Sequence, residues 1–230
     1  MAGVRAGIPG WLAAAAELAM PLECGGCGRP GVRWCPRCAR ALHDVPVRLR
    51  PRVDPGVPAF AAGRYRGPLR RGIVELKEHR RTDLVPVFGT VLARALIALA
   101  RWGDLPATGG LVLIPAPTRA LAARRRGGDP VTAVSRAAGA ELGPRVRVAE
   151  LLRTAGPARD SAGLDAGGRL ANLRGAVVVT GPPPPPVRRR RCTVVLVDDV
   201  LTTGATAAVS VAALARCGVA VDVAVVLAGV

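Results

Sequence analysis

Apolar positions along the chain fall into two kinds of block. Over residues 84–102 they recur at helical spacing, with Phe88, Val91, Leu92, Ala95, Leu96 and Leu99 on one broad face and Arg94 and Arg101 on the polar side. Elsewhere they form short continuous runs, at 111–114, 176–180, 193–197 and 219–227. Such runs fit strands covered on both faces rather than strands with one wet side. Further strands are expected at 59–65 and near 146–151, and further helices at 69–77, at 130–142 before Gly143, and up to Cys217 before a capping Gly218. Strand, helix and strand alternate, which predicts an α/β fold: a mainly parallel sheet flanked by helices on both faces.

The remaining text lacks periodicity or belongs to an appendage. Residues 1–22 read as a short amphipathic helix with Trp11, Leu12 and Leu18 on its buried side. Residues 45–58, rich in proline and arginine, read as an extended linker. Residues 153–175 read as a long loop of the kind that compact domains keep for function. Residues 181–191 combine five prolines with four arginines and read as a stiff surface excursion. The expected organisation is a module over 1–44, a linker over 45–58, and a domain over 59–230. That domain divides into a hood-like segment, 59–105, and a core sheet, 106–230.

Composition narrows this picture. The 230 residues carry a formal charge of +17, and Lys77 is the only lysine. Such a charge favours polyanions, among them nucleic acids and phosphorylated metabolites. Only 3% of residues are aromatic, which argues against a base-stacking platform for single strands. No uninterrupted apolar stretch of about 20 residues is present, so no membrane span is expected. Glu17 breaks the one stretch near the N-terminus that looks like a signal segment, and the expected location is cytoplasmic.

Four of the six cysteines form two C-x-x-C pairs, Cys24 with Cys27 and Cys35 with Cys38. Each pair brings two thiolates to one ion from a tight turn, and two pairs close a tetrahedral structural zinc site. With no open position, that metal is structural rather than catalytic. The metal would supply stability that so small a segment lacks. His43 reads as a surface or packing residue, and Cys192 and Cys217 as core thiols.

The chemistry concentrates at 194–206, Val-Val-Leu-Val-Asp-Asp-Val-Leu-Thr-Thr-Gly-Ala-Thr. A buried strand runs into Asp198 and Asp199, then into a loop of small hydroxyl residues that opens a helix. Thr202, Thr203, Gly204, Ala205 and Thr206 offer backbone N–H groups and hydroxyls where the helix dipole is positive, which suits a phosphate. Two carboxylates beside a phosphate loop make sense if the ligand also carries sugar hydroxyls or a divalent metal.

This stretch resembles the ribose 5-phosphate signature of the type I phosphoribosyltransferases. The resemblance implies that Asp198 and Asp199 hold the ribose and that Thr202–Thr206 hold the 5′-phosphate of phosphoribosyl pyrophosphate. Taken with the four-cysteine module, Tyr65, the Leu76-Lys77 segment, Ile114-Pro-Ala-Pro117 and Arg126-Gly127, the chain looks like the ComF family, which is associated with competence and DNA uptake. The family's Leu, Arg and Asn are matched by Leu164, Arg169 and Asn172. The chain has Arg126-Gly-Gly-Asp-Pro130 where the family tends to have Arg-Gly-Phe-Asn-Gln, and Ser161 where it tends to have Gln.

The resemblance implies a phosphoribosyltransferase that uses magnesium with phosphoribosyl pyrophosphate, on an unassigned acceptor. Its pyrophosphate side would comprise Ala116, Pro117, Arg119, Arg126 and Arg159, and competence proteins and DNA would be its partners. A second reading, a non-catalytic nucleic-acid adaptor that uses the ribose-phosphate site for sensing or DNA binding, stays open at this point.

Overall fold

The core is built on a strand of almost unbroken aliphatic sequence. The computed structural model describes residues 22–117, 129–154 and 177–230. The first helix, α1 (Pro36–Arg40), is followed by β1 (Val47–Leu49), β2 (Ala59–Arg64), α2 (Gly67–Glu78), a 3-10 turn (Thr82–Leu84) and α3 (Val85–Trp102). Then come β3 (Leu111–Pro115), α4 (Pro130–Leu142), β4 (Val146–Val148), β5 (Leu152–Thr154), β6 (Val177–Val179) and α5 (Pro185–Arg188). The chain closes with β7 (Thr193–Leu201), α6 (Ala205–Arg216) and β8 (Val223–Gly229).

Six strands form one sheet in the order β1-β2-β8-β7-β3-β4. All neighbours are parallel except β1, which runs antiparallel to β2. Every residue of β8 is buried, as a strand covered on both faces requires. Val195 and Val197 of β7 join one core cluster with Phe88, Leu92 and Leu96 of α3 and Val131 and Val134 of α4. Val194 and Leu196 join the other, with Ala207, Val209 and Leu214 of α6. The molecule is therefore a three-layer α/β fold. A Cβ on Gly89 would lie 2.6 Å from the Ala137 Cβ, so α3 and α4 cross at a distance that only glycine permits there.

The helical expectations over 84–102 and 130–142 match α3 and α4 closely. Asp129 caps α4 by accepting from the Val131 N–H (3.1 Å) and the Thr132 hydroxyl (2.7 Å). The segment Thr82–Trp102 is long and apolar enough to cross a membrane, and half of it is buried inside the fold.

Other segments differ from the sequence reading. The 45–58 stretch contributes the edge strand β1, and its Val53 N–H donates to the Thr203 carbonyl (2.9 Å). Proline and arginine conceal it, because an edge strand needs only one row of backbone partners. The strand expected near 146–151 ends at Val148, and β5 and β6 pair antiparallel in a separate two-strand sheet. Residues 181–191 hold the helical turn α5, whose Val187 is buried and anchors it to the core. The last strand begins at Val223 rather than 219, and Cys217, at the C-cap of α6, is exposed rather than a core thiol. The helix expected over 1–22 and most of the 153–175 loop lie outside the described residues.

Candidate functional site

Among the described strands, the sheet has a topological switch point between β3 and β7. From β3 the chain leaves through α4, on the face of α3, to reach β4. It later returns to the opposite side of β3 as β7 and leaves through α6 on the other face. The carboxyl ends of β3 and β7 therefore diverge above a crevice, the place where open parallel sheets bind ligands. Pairing between these two strands stops at Pro115 and Val197, and the Ala116 N–H closes the last bond to the Val197 carbonyl (2.7 Å). β7 continues alone against β8, through Asp198 and Asp199 to Leu201. The acids are thus strand residues next to a gap, not the first residues of a loop.

A cleft of about 430 Å³ opens at that gap. Asp198, Asp199, Thr202, Thr206 and Pro117 line it from the sheet side. Tyr65, Ile73, Val74, Lys77 and Glu78 line it from the end of β2 and from α2. The predicted acids and two of the predicted threonines therefore share one cavity. Ala116 is buried in the core beneath it, and Arg119, Arg126 and Arg159 lie outside the described residues.

The loop after β7 turns through Gly204, which has φ of 87° and forms the N-cap of α6. Thr203 Oγ1 accepts from the Ala205 N–H at 3.4 Å. Thr203 also lines the neighbouring pocket, together with Pro51 and Arg52 of the 45–58 strap, so this hydroxyl belongs to the rear of the loop. Thr202 is exposed and Thr206 half-buried, and both face the cleft.

The two acids differ electrostatically. The Lys77 ammonium lies 2.7 Å from Asp199 Oδ2, with the side chains 30% and 11% exposed. Asp199 Oδ1 accepts from the Val200 N–H at 2.6 Å. Asp198 Oδ1 accepts from the Asp199 N–H at 2.8 Å. Burial, then the Asp199 charge, push the Asp198 carboxyl up to about 7, against the pull of the Asp199 N–H and Lys77. Near neutral pH, Asp198 can hold or release a proton while its neighbour is paired. The spacing of the motif does not reveal Lys77 as the partner of Asp199; the sequence singles it out only as the one lysine and as part of the Leu76-Lys77 segment.

The four N-terminal cysteines converge as their spacing implies. Their sulfurs lie within 4.8 Å of one another, and Cys27 Sγ is 3.7 Å from Cys35 Sγ. Thiolates around a tetrahedral ion with bonds of about 2.3 Å sit about 3.8 Å apart, so this cluster can bind a metal such as zinc. Burial raises the Cys24 thiol, but the N–H groups of Cys35, Gly26 and Cys27 outweigh it and bring the group down to about 6. Burial and the adjacent thiols push Cys38 up. A Cβ on Gly26 would lie 2.8 Å from Cys38 Sγ, which explains a glycine in the first knuckle.

This module docks on the wall of the cleft. The Trp34 ring meets Phe88 edge-on with centroids 5.9 Å apart, and both rings close over Gly72 of α2. Arg81 donates to the Glu23 carbonyl at 2.7 Å while paired with Asp83. No protein-family model and no curated protein matches the sequence.

Proposed function

We propose that this chain is a ComF-like protein of the type I phosphoribosyltransferase kind that binds phosphoribosyl pyrophosphate in the cleft at the switch point. One observation carries the reading. Asp198, Asp199, Thr202 and Thr206 share a cavity with Pro117 at the diverging carboxyl ends of two parallel strands. Thr202 and Thr206, with the N-terminal amides of α6, would receive the 5′-phosphate. Asp198 and Asp199 would accept hydrogen bonds from the ribose hydroxyls. The side toward Pro117 would take the pyrophosphate, and Tyr65, Ile73 and Val74 would wall the acceptor.

The carboxylate oxygens are hard donors that suit magnesium, which would neutralise pyrophosphate charge. In the reaction, the bond from C1 of the ribose to the pyrophosphate oxygen breaks, and a nucleophilic acceptor, of the nitrogenous-base class, bonds to C1. The chain's own contribution is positioning and fixed charge. The four-cysteine module would hold zinc as a structural ion. The DNA-uptake role implied by the ComF resemblance, and DNA itself as a partner of this basic chain, belong to the same proposal.

Calorimetry with phosphoribosyl pyrophosphate and magnesium tests it. Binding by the wild-type protein that is lost in Asp198→Asn/Asp199→Asn supports the reading. No binding, or binding indifferent to those changes, overturns it.

A further inference from the structure

Lysine and arginine together number 33, and Lys77 alone is a lysine. Wherever else the chain places a long cationic side chain, it uses arginine. The exception is the position that touches a carboxylate in the cleft. Arginine and lysine are not equivalent there. A guanidinium would clamp a carboxylate with two parallel hydrogen bonds, whereas an ammonium is a compact point charge on a flexible stem.

The base of Lys77 is held rigidly, while its ammonium sits at the end of a flexible four-carbon stem. Its helix is fixed from below by Ile73 and Leu76, both buried in the core, and from outside by the Trp34 ring against Gly72. The side chain itself is 30% exposed and lines the cleft with Thr202 and Thr206 across from it. Asp199 is already engaged on Oδ1 by the Val200 N–H, so Oδ2 is the oxygen that the lysine covers. Lys77 and Asp199 both line the cleft, so a ligand hydroxyl that bonds to Oδ2 competes with the ammonium.

We propose that Lys77 is a positioning residue for the sugar-phosphate ligand. It holds Asp199 oriented in the ligand-free cleft, and it swings from Asp199 Oδ2 to a phosphate oxygen of the ligand when the ribose hydroxyls take its place. No covalent step is involved. The exchange leaves the net charge of the cleft unchanged, and it keeps the acid from repelling an incoming phosphate. The inference rests on the ribose-phosphate reading of the cleft.

Because Lys77 is the only lysine, its acetylation by an amine-reactive anhydride can be followed on one peptide by mass spectrometry. Asp199→Asn is expected to speed that acetylation severalfold, since the amine loses its ion pair with the Asp199 carboxylate. Phosphoribosyl pyrophosphate with magnesium is expected to protect Lys77 in the wild type. In calorimetry, Lys77→Met is expected to weaken binding by about tenfold or more, the scale of one charged hydrogen bond. Lys77→Arg is expected to restore only a minor part, because the guanidinium stays clamped on Asp199. Circular dichroism and metal content of both variants report their folding.

Wild-type affinity in Lys77→Met, alongside lost binding in Asp198→Asn/Asp199→Asn, would overturn the role of Lys77 and leave the ribose-phosphate reading standing. Full restoration by Lys77→Arg would overturn the exchange. Absence of binding by the wild type would overturn both.

Discussion

A Cβ placed on Gly204 would collide with the carbonyl oxygen of Val53. The 202–206 loop and the 45–58 strap are therefore interlocked, and the Val53 N–H bond to the Thr203 carbonyl ties them a second time. Gly204→Ala is expected to destabilise the fold by about 2–4 kcal/mol, from the left-handed backbone and the steric conflict together. Gly181 also has positive φ, but a Cβ there meets nothing within 4 Å. Gly181→Ala should cost only about 1 kcal/mol. Equal melting temperatures for the two variants would refute the interlock.

The four-cysteine cluster and the cleft are joined through α2. Removing the ion with a strong chelator, or substituting Cys24→Ser, is expected to lower the melting temperature, because the docked module would lose the centre that orders it. Elemental analysis of the native protein should find about one equivalent of zinc. A metal-free preparation with an unchanged melt would contradict this.

At Gly72, a Cβ would lie 2.8 Å from both Phe88 Cζ and the Trp34 ring. Gly72→Ala is expected to cost about 1–3 kcal/mol by overpacking. Its metal content should stay normal, since no cysteine is touched. Loss of metal in this variant would mean that the module and α2 fold as one unit.

The raised Asp198 carboxyl sets a pH dependence with a definite sign. Between the ordinary carboxylate value of 3.8 and about 7, the folded chain holds a proton that the unfolded chain has released. Stability contributed by this group is thus present at the acid end and declines as pH rises through that window. Asp198→Asn should remove this decline and stabilise the protein by about 1 kcal/mol or more at pH 8, on the scale of about 1.4 kcal/mol per pKa unit reduced by solvent reaching a half-buried group. Denaturant melts at pH 5 and pH 8 measure it. A parallel loss of stability with pH in both proteins would refute the assignment.

The sequence makes some of this architecture plain and hides the rest for physical reasons. Helices α3 and α4 are legible because each must turn one apolar face to the sheet and carries its own stop or cap, in Gly103 and Asp129. The cysteine cluster is legible because both knuckles are local. β7 is legible only as far as Val197. Beyond it the backbone pairing with β8 continues through Leu201, but the two carboxylates at 198 and 199 interrupt the apolar run, so the signal breaks before the strand does. β1 hides for a similar reason among prolines and arginines. The ion pair between Lys77 and Asp199 joins a helix to a distant strand, and no local pattern encodes it.

The order of strands also governs how this chain avoids its own kind. β8, a run of valine, alanine and leucine up to Gly229, has the apolar composition of segments prone to stack with copies of themselves, and it lies between β2 and β7. The two strands left at the rims, β1 and β4, are three residues each, and arginines punctuate both, Arg48 in one and Arg147 in the other. A short, charged rim offers a poor template for a neighbouring chain. The same arginine-rich sequence that masks β1 thus shields an aggregation-prone centre.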